Sequence, residues 1–125
     1  MSRILSAAES EMYGKFAGLM PEGSRAPFHK QLPSIRVVRE DPSRTTFDLS
    51  GNAEPIDAAA FNYYLSGFYD DQDGEIVSVI LHFIPPGYIS WVERFRLDHQ
   101  AVQNPLSSAK SLRFIMDRGP RSNSR

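Results

Sequence analysis

The fold is decided by the stretch Ile76-Val77-Ser78-Val79-Ile80-Leu81-His82-Phe83-Ile84 and by the turn signal Pro85-Pro86-Gly87 that follows it. The stretch is rich in β-branched residues, and it is too apolar for an exposed strand and too short for an ordinary helix. A second turn signal, Asp70-Asp71-Gln72-Asp73-Gly74-Glu75, precedes it. Strands on both sides of the two turns therefore predict an antiparallel sheet.

The rest of the chain adds a helix and further strands to this sheet. Ser6-Ala7-Ala8-Glu9 matches the capping box, in which the Ser and Glu side chains satisfy free amides at a helix start, and it predicts a helix over about 6–19. A second helical turn and three more strands are predicted over 26–32, 35–40, 45–50 and 61–69. The predicted fold class is α+β, with the N-terminal helix packed on a four- or five-stranded antiparallel sheet.

Chain length and apolar content predict a single domain. The chain has 125 residues, of which 41% are hydrophobic, and a second domain would have too little chain for its own core. We assign the domain to 1–116, in which 106–116 fits either a last strand or a short helix, the strand being preferred. Residues 117–125 are rich in Arg and Ser without apolar anchors, so we expect a disordered basic tail.

Composition and charge exclude several functional classes. The chain has no Cys, which excludes a disulfide scaffold, a thiolate metal site and a cysteine nucleophile. A net charge of −1 makes nucleic-acid binding unfavourable, and from the patterning of the sequence we expect neither a signal peptide nor a membrane-spanning segment. The three histidines show no metal-ligand spacing. We expect a cytoplasmic protein without membrane contact, metal or cofactor.

The register of the last hairpin decides which side chains are buried. A three-residue turn pairs Ile84 with Tyr88, and an uninterrupted ladder then divides the two strands into two faces. The predicted core face carries Phe83, Leu81, Val79 and Val77 with Ile89, Trp91, Glu93 and Phe95. The second face carries Ile84, His82, Ile80, Ser78 and Ile76 with Tyr88, Ser90, Val92, Arg94 and Arg96.

Glu93 and His82 are the candidate catalytic residues of an alternative prediction. In the register above, Glu93 points into a row of apolar side chains, where loss of hydration would raise the pKa of its carboxyl. Such a group is a candidate acid or base, or the anchor of a ligand. The alternative is that Glu93 has a structural role, either as a buried carboxylate held by an Arg or Tyr side chain or as a residue at a sheet edge that reaches solvent. For His82, an ordinary half-exposed sheet position is the preferred interpretation.

Two other features indicate contact with a partner. The acidic segment 70–75 lacks the spacing of a calcium-binding loop and is better explained as a hairpin turn, but it concentrates negative charge. The second face of the last hairpin combines aromatic and arginine side chains, which protein interfaces enrich. A covering element, for example the C-terminal segment, is the competing explanation for that face. The predicted partner-binding residues are Asp70, Asp71, Asp73, Glu75, Tyr88, Arg94 and Arg96.

Several short pieces of the chain resemble a group of small, uncharacterised bacterial proteins. The first piece is Ile4-Leu5-Ser6-x-x-Glu9, and the second is Gln31-Leu32 before Val37-Val38. The third is Asp71-Gln72-Asp73-Gly74-Glu75-Ile76 before Val79-Ile80-Leu81-His82. A strand with Glu93 and a turn at Asp98 follow it. In size and acidic character, the chain also resembles the immunity proteins that neutralise bacterial toxins. This second resemblance is limited to size and general character and does not rest on a shared motif.

These observations lead to two functional hypotheses. The first is a non-enzymatic protein-binding module, in its most specific form a toxin-neutralising immunity protein. The alternative is a small-molecule-binding protein or enzyme, in which the helix and a curved sheet form a cone-shaped pocket around Glu93. Nucleic-acid binding through the basic tail is a weaker third hypothesis.

Overall fold

The fold is a sheet with helical segments on one side. The computed structural model describes residues 2–49, 53–105 and 111–114. Its strands and α-helices, in chain order, are β1 (Arg3–Ile4), α1 (Ala7–Gly14), α2 (Glu22–Gln31), β2 (Ile35–Asp41), β3 (Arg44–Leu49), β4 (Tyr64–Asp70), β5 (Ile76–Ile84) and β6 (Tyr88–Arg96). Short 3-10 helices cover Lys15–Leu19, Leu32–Ser34 and Ala58–Phe61. The α+β class is therefore confirmed.

The strands form one antiparallel sheet in the order β1-β2-β3-β6-β5-β4. The predicted meander of the last three strands is present, and β3 joins it to β2 by pairing with β6. The predicted number of four or five strands is wrong, because the described residues already form six. The additional strand is β1, whose two residues pair with Val37 and Arg36. A strand of two residues is too short to show a periodicity in sequence.

The N-terminal helix begins at the predicted cap but ends early. The Ser6 hydroxyl accepts a hydrogen bond from the Glu9 amide at 3.1 Å, and the Glu9 carboxylate accepts one from the Ser6 amide at 2.7 Å. α1 ends at Gly14, and a 3-10 helix continues to Leu19. α2 is longer than the predicted turn, with Glu22 at its start and His29 and Lys30 in its last turn, where these charges complement the helix dipole.

The hydrophobic core lies between the helices and the inner face of the sheet. Tyr13 of α1 packs edge-to-face on Phe47 of β3 at 5.8 Å between ring centroids, and Phe28 of α2 lies 5.9 Å from Phe83 of β5. The N-terminal helix is therefore beside the strands, as predicted. None of the helices in the described ranges is long and apolar enough to cross a membrane. The predicted tail over 117–125 lies outside the described residues, as does most of 106–116.

A buried glutamine joins the core to the hairpin turn between β5 and β6. Gln31 is fully buried at the end of α2. Its Nε2 donates to the carbonyl oxygens of Glu54 and Gly87, both at 2.9 Å, and its Oε1 accepts from the Ile89 amide at 3.2 Å. Gly87 is required here, because a Cβ at that position would lie 1.8 Å from the Ile56 carbonyl oxygen.

A β-bulge interrupts the ladder between β5 and β6. Ile84 pairs with Tyr88 and Phe83 with Ile89, as predicted, but His82 then pairs with Trp91, so that Ser90 is the additional residue. A bulge shifts the register by one, and each later residue of β6 changes face. The predicted continuous register is therefore wrong beyond Ile89.

The bulge reverses the two predicted faces of β6. Val92 is fully buried on the inner face, and Arg94 and Arg96 are also inside, with 3% and 5% of their surfaces exposed. Trp91, Glu93 and Phe95 lie on the outer face. The predictions that Glu93 is in the core and that Arg94 and Arg96 are on an accessible face are both wrong. The apolar pattern of β6 does not decide the register by itself, because Trp91 and Phe95 favour burial in one register and Val92 favours it in the other.

Candidate functional site

The sheet surface opposite α1 and α2, which we call the open face, carries several large apolar side chains. Side chains alternate between the faces of a strand, so each strand of the sheet contributes to this surface. On the three strands at one side of the sheet the large apolar members are Tyr64 and Phe68 of β4, Ile76, Ile80 and Ile84 of β5, and Tyr88, Trp91 and Phe95 of β6. Tyr64, Ile76, Ile84 and Phe95 are exposed.

One part of the open face forms a shallow apolar cavity. Its volume is about 430 Å³. We call its apolar members, Phe68, Ile76, Ile80, Phe95 and Leu97, the apolar cluster. Phe68 and Phe95 lie on either side of Ser78, with which both pair in the sheet, and Leu97 is 74% exposed. A depression of this kind can accept an apolar side chain from another molecule.

A second part of the open face is a stack of polar and aromatic groups. The His82 and Trp91 rings are parallel, with centroids 3.7 Å apart, and the Arg44 guanidinium lies 3.9 Å from the centroid of Trp91 on a neighbouring strand. His82 Nε2 is 3.1 Å from Glu93 Oε1. These contacts hold the four side chains in fixed positions on the central strands.

The structure brings the two candidate catalytic residues together, but on the open face. The sequence placed His82 and Glu93 on opposite sides of the sheet, and the bulge puts them on the same side. The Glu93 side chain is 41% exposed and that of His82 is 26% exposed. Glu93 therefore lacks the core location from which a cone-shaped pocket was predicted.

The acidic segment is a hairpin turn, as its Asp-Gly pair indicates. β4 ends at Asp70, β5 begins at Ile76, and Gly74 adopts a φ of 89°, which favours glycine. Asp70 forms an exposed ion pair with Arg113 at 2.8 Å, and Glu75 is exposed. Asp71 is buried, so the segment does not present all its charges to solvent.

Asp71 and Arg96 belong to one buried ionic cluster, which we call the Arg96 cluster. Arg96 Nη1 donates to Asp71 Oδ2 at 3.1 Å, and its other terminal nitrogen bonds to Asp98 and lies 2.9 Å from Asp73 Oδ2. Asp71 also accepts the amides of Gln103 at 2.9 Å and Asn104 at 2.8 Å. The cluster fixes the segment after β6 against the turn between β4 and β5, which is a structural role.

Hydrogen bonds favour the ionised forms of Asp71 and Asp98 in the Arg96 cluster. Burial raises the pKa of Asp71, but the amides of Gln103 and Asn104 and the guanidinium of Arg96 more than compensate, so that the pKa is held below its ordinary value. The hydrogen bond from Arg96, assisted by the Gln100 amide, lowers the pKa of Asp98 to about 2. Both carboxylates are therefore charged at neutral pH.

Arg94 lies inside the protein in a different environment. Its Nε donates to the Pro42 carbonyl oxygen at 3.0 Å, and Nη2 donates to the Asp41 carbonyl oxygen at 3.1 Å and to the Thr45 hydroxyl. Within the described part of the chain, no carboxylate oxygen lies within 4 Å of an Arg94 nitrogen. Arg94 therefore stabilises the turn between β2 and β3 without an ion pair there.

The predicted partner-binding residues are thus divided among different environments. Tyr88 is half-buried, while Asp70, Asp73 and Glu75 lie on the surface near the end of β4. Asp71, Arg94 and Arg96 are buried in the part of the chain that the structure describes. The apolar cluster and the stack on Trp91 were missed, because the predicted register placed Trp91 and Phe95 in the core.

Comparison with known proteins adds no family to this description. A scan against protein-family models, a search of curated proteins and a search of solved structures found no match to the chain. Among residues 2–49, 53–105 and 111–114, no group of three or more His, Cys, Asp or Glu side chains is arranged to hold a metal ion. Any functional argument therefore depends on the geometry of the described residues.

Proposed function

We propose that the chain is a non-enzymatic protein-binding module that binds its partner through the open face. The observation that carries the proposal is the apolar cluster, a depression of about 430 Å³ surrounded by large, exposed apolar side chains on a sheet surface opposite the helices. Exposed apolar patches with a polar rim are typical of interaction sites. Burying them in a complex would remove apolar surface from water, which is the main driving force of association.

The stack on Trp91 would complement the apolar cluster in such an interface. Tryptophan and arginine are enriched among the residues that dominate binding energy, and here Arg44 and His82 already hold the Trp91 ring in place. A side chain that is fixed before binding loses less conformational entropy when the complex forms. The open face therefore offers an apolar depression beside a rigid aromatic anchor.

We further propose that neutralisation of a bacterial toxin is the specific form of this activity. In support, the exposed carboxylates of Asp73 and Glu75 lie at the end of the hairpin that carries Ile76 of the apolar cluster. A partner with a basic patch beside an apolar side chain would complement this arrangement. Co-expression of the chain with a toxin candidate encoded by a neighbouring gene tests it, since survival should require the apolar cluster.

The experiment on the general proposal is affinity capture from cells of the source organism, with quantitative mass spectrometry. The test variant is Phe95→Asp, which puts a charge into the apolar cluster, and the control is Glu22→Gln on the helical side of the molecule. Truncating or charging a central interface residue costs about 2 kcal/mol or more, so capture of a true partner should fall at least about tenfold. The control should retain it. Equal capture by Phe95→Asp and the unmodified chain would contradict the proposal.

A further inference from the structure

A second cavity lies where β6 extends beyond its neighbour β3. The pairing of the two strands ends at Arg44 and Glu93, whereas β6 continues to Arg96. From Phe95 onwards, the edge of β6 that faces β3 therefore has no neighbouring strand among the described residues. The cavity, which we call the edge slot, has a volume of about 410 Å³ and lies between this edge and the loop after β6. Its lining includes Ser43, His99, Gln100, Ala101 and Val102.

Two backbone hydrogen bonds show which way this edge points. The Arg94 amide donates to the Ser43 carbonyl oxygen at 2.8 Å, and the Arg96 carbonyl oxygen accepts from the His99 amide at 3.2 Å. In a strand, the amide and the carbonyl of one residue point to the same side, and every second residue repeats that side. The Arg94 carbonyl and the Arg96 amide therefore point to the side of these two bonds, where both residues line the edge slot.

These two backbone groups have no hydrogen-bond partner among the described residues. In a continued ladder the Ser43 amide would donate to the Arg94 carbonyl oxygen, but it donates to Asp41 Oδ1 at 2.8 Å instead. The Arg96 amide points away from β5, with which β6 pairs on its other side, and no described acceptor is bonded to it. One acceptor and one donor on the edge of a strand match the backbone of an extended peptide.

The edge slot is continuous with the apolar cluster of the open face. Phe95 and Leu97 line both cavities, and they are 39% and 74% exposed. Residues that lie directly opposite each other in a ladder have their side chains on the same face of the sheet. A residue opposite Phe95 in the edge slot would therefore direct its side chain to the open face, where an apolar side chain would contact Phe95 and Leu97.

We infer that the partner of the open face adds an extended peptide segment to the edge of β6 in the edge slot. The inference rests on the proposed function, because the segment belongs to the protein that covers the apolar cluster. The segment donates a hydrogen bond to the Arg94 carbonyl oxygen and accepts one from the Arg96 amide. Three residues suffice, since they span about 10 Å and the two groups flank the single residue Phe95. The central residue of the three carries an apolar side chain.

Hydrogen exchange in the unbound chain tests the premise of this inference. The Phe95 amide faces β5 within the ladder, whereas the Arg96 amide faces the edge slot. After correction for intrinsic rates, we expect the Arg96 amide to exchange at least about tenfold faster, because no bond protects it. Equal protection of the two amides, measured by NMR, would mean that the Arg96 amide already has a partner and would overturn the inference.

The binding test is an NMR titration of the full chain with the blocked peptide N-acetyl-Ala-Leu-Ala-N-methylamide up to about 20 mM, a range that detects millimolar affinity. We expect a saturable shift and slower exchange of the Arg96 amide. A peptide with Gly in place of Leu should bind at least about fivefold more weakly, because it lacks the apolar contact. The leucine peptide with methylated amide nitrogens cannot donate and should not saturate. Absence of saturation with the leucine peptide, or equal binding of its methylated form, would overturn the inference.

Variants locate the peptide in the edge slot. Ala101→Trp fills the slot and should weaken binding of the leucine peptide at least about tenfold through steric clash. Ala59→Trp, the same substitution at an exposed position that does not line the slot, should leave the affinity unchanged. If Ala101→Trp does not fold, Gln100→Trp, also in the lining, takes its place. Unchanged binding in the folded variant of the lining would place the peptide elsewhere and refute the assignment.

Affinity capture separates this inference from the proposed function. Loss of the partner both in Phe95→Asp and in Ala101→Trp, together with saturation by the leucine peptide, supports the inference. Loss in Phe95→Asp with full capture by Ala101→Trp overturns the edge addition and leaves the open face as the binding surface. Full capture by Phe95→Asp contradicts the proposed function, and the inference that rests on it is then overturned as well.

Discussion

Arg94 and Arg96 stand two residues apart on the same strand, and both are buried by the same bulge, yet their surroundings differ. Arg96 contacts the carboxylates of Asp71, Asp73 and Asp98. Arg94 contacts two backbone carbonyls and one hydroxyl. The Arg96 cluster is complete within the fold, so it stabilises structure. Arg94 is bonded to neutral oxygens, and among the described residues no carboxylate lies within ion-pair distance of it, so it stabilises the turn between β2 and β3 without an ion pair.

The comparison shows that the energetic consequence of burying a charged side chain depends on its partners. A buried charge that is paired and fully hydrogen-bonded is costly to disturb, because removing one partner leaves the other unpaired in the interior. A buried charge that is bonded to neutral oxygens leaves no opposite charge unpaired when it is removed, so its removal should cost less. The two arginines therefore differ in the expected cost of losing a partner, which the free energy of unfolding measures.

The largest effect is expected for Asp71→Asn in the Arg96 cluster. Both Asp71 oxygens face donors, from Arg96, Gln103 and others, so the Asn amide nitrogen would meet N–H groups in place of an acceptor. We expect a loss of about 3 kcal/mol in the free energy of unfolding, measured by urea denaturation. Asp70→Asn is the matched control, because its ion pair with Arg113 is exposed and should be worth less than about 0.5 kcal/mol. Equal losses would break the comparison.

A smaller effect is expected for Arg94→Met. The substitution removes three hydrogen bonds to the turn between β2 and β3, but it also removes a buried charge that has no carboxylate partner among the described residues. These contributions oppose each other, so we expect a net loss of about 1 to 2 kcal/mol in the free energy of unfolding. Urea denaturation beside Asp71→Asn measures the order of the two. A loss larger than that of Asp71→Asn would contradict the expected order.

The smallest effect is expected for the change in stability when the pH is lowered. The folded pKa of Asp98 is about 2, below the ordinary value of 3.8, because of its hydrogen bond to Arg96. Its contribution to stability is therefore fully present above about pH 4 and is lost as the pH falls towards 2. We expect the urea midpoint to fall over this interval, and to fall less steeply in Asp98→Asn. The control Asp48→Asn, on β3, should retain the full decrease. If the urea midpoint of Asp98→Asn falls with pH as steeply as that of the unmodified chain, Asp98 does not cause the decrease.

Much of the fold could be predicted from local sequence signals. The capping box at Ser6, the hairpin turns at 70–75 and 85–87, and the alternation of β4 each act within a few residues, so neighbouring residues suffice to reveal them. β1 could not be predicted in this way, because a strand of two residues exists through its pairing with β2.

The candidate sites could be predicted less well, because they depend on register. The residues of β6 after the bulge fit either face, since Trp91 and Phe95 favour burial in one register and Val92 in the other. Gln31 of α2 bonds to the Ile89 amide beside the bulge, and the Arg96 cluster gathers carboxylates from two loops. These contacts join residues that are far apart in the chain, so no local sequence pattern predicts them.

The sequence by itself determined the α+β class and the antiparallel strands, because turn chemistry and side-chain periodicity act locally. The tertiary structure alone decided which faces of the last strand meet the core, and with them the open face and the two arginine environments. The physical reason is that one additional residue in a ladder reverses every later side chain, while the contacts that favour it come from distant parts of the chain.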